Sequence, residues 1–268
     1  MNAITVFTAD QPRHRALAET LAPLCKTLFV IEETKIPPVA PLNESGQEPE
    51  ILRSYFKRVK EAENAVFGHE YRTPPNARTI RLEQGTLSHT PLPLLEETLR
   101  SNLIVVFGSS YIKEPLLGRL LTKKAVNLHM GVSPYYRGSA CNFWAAYDGR
   151  ADLVGATIHL LSAGLDSGGM LFHAFPATAD TDPFLLGMLA VRAAHRGLAK
   201  HIRNGTLLQL EAVAQDKNRE LRYSRRADFT DAVATDYLGK LPSPADVRRQ
   251  LEKRDLASFV RPYVDASH

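Results

Sequence analysis

Short apolar runs alternate along the chain with longer segments in which apolar residues recur every three or four positions. The runs at 4–7, 28–31, 79–82 and 103–107 are short and rich in β-branched residues, which is typical of buried parallel strands. The segments at 11–24, 48–67 and 91–100 have helical spacing. Further strands are predicted at 154–161, 170–175 and 207–213, and further helices at 139–147 and 183–204. The alternation predicts an α/β fold with a Rossmann-like, mostly parallel sheet.

Two other parts of the chain carry a different pattern. Residues 34–49 are predicted to form an irregular loop, because they hold Pro37, Pro38 and Pro41 together with Asn43 and Gly46. Beyond residue 228 only helices are predicted, the last of which opens at Ser243 and Pro244. We therefore expect a catalytic domain at 1–215 and a short, mostly helical C-terminal extension at 216–268.

The helix predicted at 48–67 has two interpretations. Tyr55 lies in its apolar stripe and Arg58 lies outside it, so an aromatic and basic face is available to contact a nucleotide. A core face beside a solvated face explains the same spacing and is favoured. The turn at 8–12 lacks the G-x-G-x-x-G pattern, so the sequence gives a dinucleotide site little support.

Residues 127–169 hold the polar side chains most typical of an active site. Asn127 and His129 are predicted at the carboxyl end of a short strand, where open α/β sheets place their sites. Asp166, Ser167 and Gly168 follow almost forty residues later. Taken singly, each of these residues is more typical of a turn or of a satisfied polar group. Their order and spacing together indicate catalysis.

This segment resembles the family of 10-formyltetrahydrofolate-dependent formyltransferases, and is most similar to the nucleotide-sugar N-formyltransferases. The resemblance rests on Asn127, His129, Pro134, the run 136–138, Asp166 and Gly168. The sequence departs from the family pattern at Met130, Gly131 and Ser133, where Pro, Ser and Leu are usual. Weaker similarity extends over roughly the first 220 residues.

The resemblance implies a formyltransferase fold and a set of site residues. Asn127, His129 and Asp166 are expected to be catalytic. The formyl donor, 10-formyltetrahydrofolate, is expected to contact Gly108, Ser109, Ser110, Tyr111, Leu160, Leu161, Gly164 and Leu165. The amine acceptor is expected to contact Met130, Gly131, Tyr135, Tyr136, Arg137 and Gly138. No metal is expected.

The chemistry of formyl transfer explains why these residue types are needed. An amine that attacks the formyl carbon creates an oxyanion, which the Asn127 amide and a protonated His129 would stabilise. Asp166 would keep the imidazole charged and oriented. Either His129 or a water held by Asp166 would accept the proton of the amine.

The sequence leaves the acceptor open. An amino sugar linked to a nucleotide is favoured, since a methionyl-tRNA formyltransferase is expected to add a β-barrel domain and residues 228–268 look helical. Glycinamide ribonucleotide, a hydroxylated ornithine or another small amine remain alternatives. A hydrolase that acts on 10-formyltetrahydrofolate would contain the same three residues, Asn127, His129 and Asp166. A non-catalytic nucleotide-binding protein would have the same fold.

The composition indicates which class of protein the chain belongs to. The chain has 268 residues, of which 44% are hydrophobic and 23% charged, with a net charge of +4, which is ordinary for a globular protein. Its two cysteines, Cys25 and Cys141, have no metal-ligand spacing. No basic leader or long apolar stretch is present, so we expect a cytoplasmic enzyme, a monomer or a homodimer, that binds neither nucleic acid nor membrane.

Overall fold

The computed structural model describes residues 1–34 and 49–266, so nearly all of the loop predicted at 34–49 lies outside the described residues. The described residues form ten strands: β1 (Ala3–Ala9), β2 (Thr27–Thr34), β3 (Ala77–Glu83), β4 (Leu103–Val106), β5 (Val126–His129), β6 (Tyr136–Gly138), β7 (Ala156–Leu160), β8 (Met170–Pro176), β9 (Arg222–Ser224) and β10 (Tyr263–Asp265). The same part of the chain forms eight α-helices: α1 (Pro12–Leu21), α2 (Glu50–Phe67), α3 (Leu92–Leu99), α4 (Leu116–Thr122), α5 (Cys141–Tyr147), α6 (Pro183–Arg203), α7 (Asp231–Gly239) and α8 (Pro244–Leu251).

Eight of these strands form one sheet in the order β10-β8-β7-β5-β4-β1-β2-β3. Neighbouring strands are parallel, except that β7 runs antiparallel to both β5 and β8. The prediction of a Rossmann-like, mostly parallel sheet is confirmed. The two remaining strands, β6 and β9, pair with each other in parallel.

Both faces of the sheet are buried, which explains why the central strands read as continuous apolar runs. In β4, Leu103 and Val105 face a core formed with α1 and α6, whereas Ile104 and Val106 face a core formed with α3 and α4. The side chains of successive residues point to opposite faces, so a run of four apolar residues serves two cores at once. The carboxyl ends of the strands remain free to carry a site.

The predicted strand at 207–213 was wrong. Residues Leu207–Gln209 form a single 3₁₀ turn, and Val213 makes only an isolated antiparallel bridge to Met170. The open edge of β8 is filled instead by β10, which pairs with residues 174–176. A strand from the end of the chain thus takes the place that the local apolar pattern had assigned to a nearer segment.

The C-terminal extension contains the predicted helices, α7 and α8, together with two short strands that the pattern did not reveal. Ser243 caps α8, and its hydroxyl accepts the N–H of Asp246 at 3.2 Å. The β10 carboxylate of Asp265 is buried and pairs with Arg192 at 3.0 Å and Arg196 at 2.9 Å, both on α6. The extension is therefore attached to the sheet itself.

The helix α2 uses its aromatic face for packing. Tyr55 is buried among the rings of Phe143, Phe184 and Phe229, with centroid separations of 4.8 to 5.7 Å. Arg58 is paired with Asp182 at 2.8 Å. The core-face interpretation of this helix is the one that the structure supports. Within residues 1–34 and 49–266, no helix has the length and apolar character needed to cross a membrane.

Candidate active site

The strand β5 presents Asn127 and His129 on one face, because residues two apart on a strand point the same way. The antiparallel neighbour β7 pairs His159 directly with Asn127 and Thr157 directly with His129. The pairing brings the side chain of His159 beside Asn127, and the two are 3.0 Å apart between Asn127 Nδ2 and His159 Nε2. The centre of the site is thus fixed by strand register.

The loop of residues 161–169 brings Asp166 over β5. Gly168 makes this approach possible, since a Cβ at that position would lie 1.7 Å from the backbone oxygen of Leu160. Asp166 itself has a φ of 46°, which an Asp adopts more readily than most residues. The Gln215 amide donates to the backbone oxygens of Asp166 at 2.8 Å and Gly168 at 2.9 Å, which holds the loop in place.

The three side chains predicted to be catalytic converge. Asp166 Oδ2 lies 3.4 Å from His129 Nδ1, and Asp166 Oδ1 lies 3.4 Å from Asn127 Nδ2. His129 is 6% exposed, so its contact with the carboxylate is shielded from water. Residues separated by almost forty positions therefore form one polar cluster.

Electrostatics favours the charged form of His129. Burial lowers the pKa of the ring, but the thiol of Cys141 and the carboxylate of Asp166 outweigh burial and hold the pKa well above its ordinary value. The pKa of Asp166 is lowered: burial raises it, and the neighbouring His129 more than offsets that effect. The pair is an imidazolium and a carboxylate at neutral pH.

His159 belongs to the cluster although the sequence analysis did not select it. Burial lowers its pKa to about 4, so the ring is neutral. Its Nδ1 lies 2.8 Å from the backbone oxygen of Leu160, which requires a proton on Nδ1 and leaves Nε2 as an acceptor. Nε2 then accepts from the Asn127 amide and fixes the orientation of that side chain. The sequence signal was a histidine within a strand of mostly apolar residues.

In this structure the donors of the cluster have protein acceptors. His129 Nε2 lies 3.3 Å from the backbone oxygen of Tyr136, and the Asn127 amide contacts His159 and Asp166. A substrate oxygen that binds here must therefore replace one of these acceptors. The cluster can stabilise negative charge on an oxygen, and the His129–Asp166 pair can also exchange a proton.

The residues predicted to contact the acceptor lie on the loop of residues 130–138. Met130 packs against the main core, and the Gly131 backbone oxygen accepts from the Thr157 hydroxyl at 2.7 Å. The side chains of Tyr135, Tyr136 and Arg137 bind Arg219, Asp148 and Glu220, respectively. Gly138 has a φ of 87° and leaves room for β9, because a Cβ there would lie 2.1 Å from the Ser224 backbone oxygen.

The residues predicted to contact the donor lie in two places. Gly108, Ser109, Ser110 and Tyr111 form the turn after β4, where Ser110 is bound through its N–H and its hydroxyl to buried Glu33, at 2.6 and 2.7 Å. Leu160 ends β7, and Leu161, Gly164 and Leu165 lie on the 161–169 loop. The two places are joined by a hydrogen bond of 3.2 Å from the Tyr111 hydroxyl to the backbone oxygen of Ala163.

Comparison with known proteins gives a consistent picture of the fold. A chain described as phosphoribosylglycinamide formyltransferase from Anaplasma phagocytophilum superposes with a TM-score of 0.53 at 15% identity, covering 84% of this chain and 98% of that one. A sugar N-formyltransferase from a Shewanella species gives a TM-score of 0.51 at 16% identity, covering 85% and 78%. The fold is that of the formyltransferases, with the polar cluster at the carboxyl end of β5.

Sequence comparison points the same way. A methionyl-tRNA formyltransferase from Desulforamulus reducens is 27% identical over 169 residues, which are 62% of this chain and 47% of that protein. The chain spans less than half the length of the curated relatives it matches. No family model matches it. The fold and these similarities together confirm the resemblance to the formyltransferase family.

Among residues 1–34 and 49–266, no group of three or more His, Cys, Asp or Glu side chains is arranged to hold a metal ion.

Proposed function

We propose that this protein transfers the formyl group of 10-formyltetrahydrofolate to a primary amine. The observation that carries the proposal is the convergence of Asn127 and His129 on Asp166, each 3.4 Å from one of its carboxylate oxygens, with His129 held in its charged form. Formyl transfer requires donors for an oxyanion and a group that exchanges a proton beside them, and this cluster supplies both.

In the reaction, the amine nitrogen forms a bond to the formyl carbon, and the bond from that carbon to the leaving nitrogen breaks. One proton passes from the amine to the leaving nitrogen. Asn127 and His129 donate to the oxygen of the tetrahedral intermediate, and each such donor typically lowers the barrier by about 3 to 4 kcal/mol. Asp166 holds the His129 ring and keeps its charge.

The exposed surface beside the cluster fits a donor with a flat heterocycle. In the described part of the chain, no acceptor is paired with the backbone N–H groups of Ala163, Gly164 and Leu165, and these residues are exposed. Tyr111 is 56% exposed and Leu165 is 46% exposed. Backbone donors between two apolar side chains suit the polar edge and flat faces of a pterin ring. The donor, when bound, supplies the activated formyl group.

For the acceptor we favour an amino sugar linked to a nucleotide. Support comes from the similarity to a sugar N-formyltransferase, and from Tyr223, a 46% exposed ring whose centroid lies 6.0 Å from the Arg137 guanidinium. Glycinamide ribonucleotide is the second candidate, since the superposition with the Anaplasma phagocytophilum chain is equally extensive.

The test is an assay of the purified chain with formyl-labelled 10-formyltetrahydrofolate and a panel of amines. The panel holds nucleotide-linked amino sugars, glycinamide ribonucleotide, a hydroxylated ornithine and methionyl-tRNA. Release of tetrahydrofolate that depends on an added amine, with the label recovered as a formamide, supports the proposal. Release without an amine would identify a hydrolase. Donor binding without any turnover would identify a binding protein and contradict the proposal.

A further inference from the structure

Cys141 lies against the catalytic histidine, although nothing in its sequence position marks it. It is the first residue of α5, is 1% exposed and packs in the apolar cluster that includes Val132 and Trp144. Its thiol lies beside the His129 ring and helps to hold the pKa of that ring above its ordinary value. The Cys141 sulphur also lies 3.5 Å from the backbone oxygen of Gly138.

Gly131 is what allows this contact. A Cβ at Gly131 would lie 2.5 Å from Cys141 Cβ, 3.1 Å from Cys141 Sγ and 2.7 Å from His129 Nε2. The thiol and the ring nitrogen thus both occupy space that any larger residue at position 131 would fill. The serine usual in the family at this position would displace one of them.

The His129 ring is consequently held from two sides. Asp166, which lies on the 161–169 loop, contacts His129 Nδ1. Cys141 and the Tyr136 backbone oxygen approach the ring from the side of Nε2. Among the described residues, His159 on β7 is a further titratable group that faces the ring, with the two ring centroids 6.4 Å apart. A thiol is a weak and polarisable partner, and an imidazole keeps its plane best when both nitrogens have partners.

We propose that Cys141 is a positioning residue for His129, admitted by Gly131, which fixes the plane of the ring and the proton on Nε2. The inference rests on the proposed function only for its effect on turnover. A nucleophilic role for the thiol has less support, because the side chain is enclosed by the core and the 130–138 loop. The contact with His129 acts on the charged state of the ring in the same direction as Asp166.

The test compares Cys141→Ala, Cys141→Ser and the matched control Cys25→Ala. Cys25 is the other cysteine of the chain and is half-buried, and its thiol donates to the backbone oxygens of Leu21 and Ala22. The first measurement is an NMR titration of the His129 ring, which needs no substrate. In Cys141→Ala the midpoint should fall below that of the wild type, Cys141→Ser should restore much of the difference, and Cys25→Ala should leave it unchanged.

The second measurement is the pH dependence of formyl transfer. Cys141→Ala should lower kcat on the order of tenfold and move the alkaline limb to lower pH, with KM for both substrates nearly unchanged. A His129 midpoint that is the same in the wild type, Cys141→Ala and Cys141→Ser would overturn the proposal. A shifted midpoint in a protein that transfers no formyl group would leave the positioning role intact and remove the proposed function instead.

Discussion

At the scale of single residues, His129 and Asp166 depend on each other for their charge. The carboxylate beside the ring holds the pKa of His129 above its ordinary value, and the ring lowers the pKa of Asp166. The charged pair therefore persists from below neutral pH to above it. Its stabilising contribution is lost as pH rises through the raised pKa of His129 or falls through the lowered pKa of Asp166.

Replacing Asp166 tests this mutual dependence. Asp166→Asn keeps the size of the side chain but removes the counter-charge, so the pKa of His129 should fall and the alkaline limb of the pH–rate profile should move to lower pH. The maximal rate should fall as well. Asp236→Asn, on the exposed surface of α7, is the matched control. A profile of unchanged shape in Asp166→Asn would contradict the assigned role of the carboxylate.

Part of this cluster could be predicted from the sequence, and the rest could not. Asn127, His129 and Asp166 were found because their order and spacing carry a chemical pattern. His159 and Cys141 reach the cluster only through the pairing of β5 with β7 and through the space left at Gly131. Those contacts depend on the three-dimensional fold, and neither residue has a marked spacing from the others along the chain.

At the scale of elements, the 161–169 loop must sit tightly on β7 for Asp166 to reach His129. Gly168→Ala would place a methyl group 1.7 Å from the Leu160 backbone oxygen, and backbone cannot yield as a flexible side chain does. The loop should move outward, and kcat should fall on the order of a hundredfold, because a small displacement of a catalytic group strongly lowers the rate. Steady-state kinetics and the crystal structure of the variant measure both effects.

Gly187→Ala is the control for this experiment. Gly187 lies within α6, and a Cβ there would meet nothing within 4 Å, so the activity should be unchanged. Activity of Gly168→Ala within a factor of about two of the control would show that the close approach of the loop is not required.

The elements themselves were largely predictable, and the failure at 207–213 is instructive. Leu207, Leu210 and Val213 give that segment an apolar pattern suited to a strand. Pairing, however, is decided by competition for the edge of β8, and residues 174–176 of that edge pair with β10, from residues 263–265. A local pattern cannot reveal a partner that lies fifty residues further along the chain.

At the scale of the whole molecule, three buried histidines set the acid limit of stability. Burial lowers the pKa of His159 and His173 to about 4 and that of His195 to about 3. Below about pH 6.5 these three histidines bind protons in the unfolded chain, whereas in the folded chain burial keeps them neutral to lower pH. The free energy of unfolding should therefore fall as pH decreases through this range.

His195→Leu isolates one of these contributions. His195 is buried near Phe67 and Phe107, and its Nε2 has no partner among the described residues. As the pH falls from 6 to 4, the free energy of unfolding should decrease in both proteins. For each pH unit the decrease should be smaller in the variant by about 1.4 kcal/mol. Denaturant unfolding at a series of pH values measures the slope. Parallel curves for the two proteins would show that His195 does not resist protonation in the fold.

The most direct test of the central claim is the single-turnover rate of formyl transfer in His129→Ala, compared with the wild type on whichever amine the panel identifies. Circular dichroism and Tm establish that the variant is folded. We expect the rate to fall by roughly two to three orders of magnitude, because the charged donor to the oxyanion is lost while Asn127 remains. A folded variant that retains more than about a tenth of the wild-type rate would contradict the account.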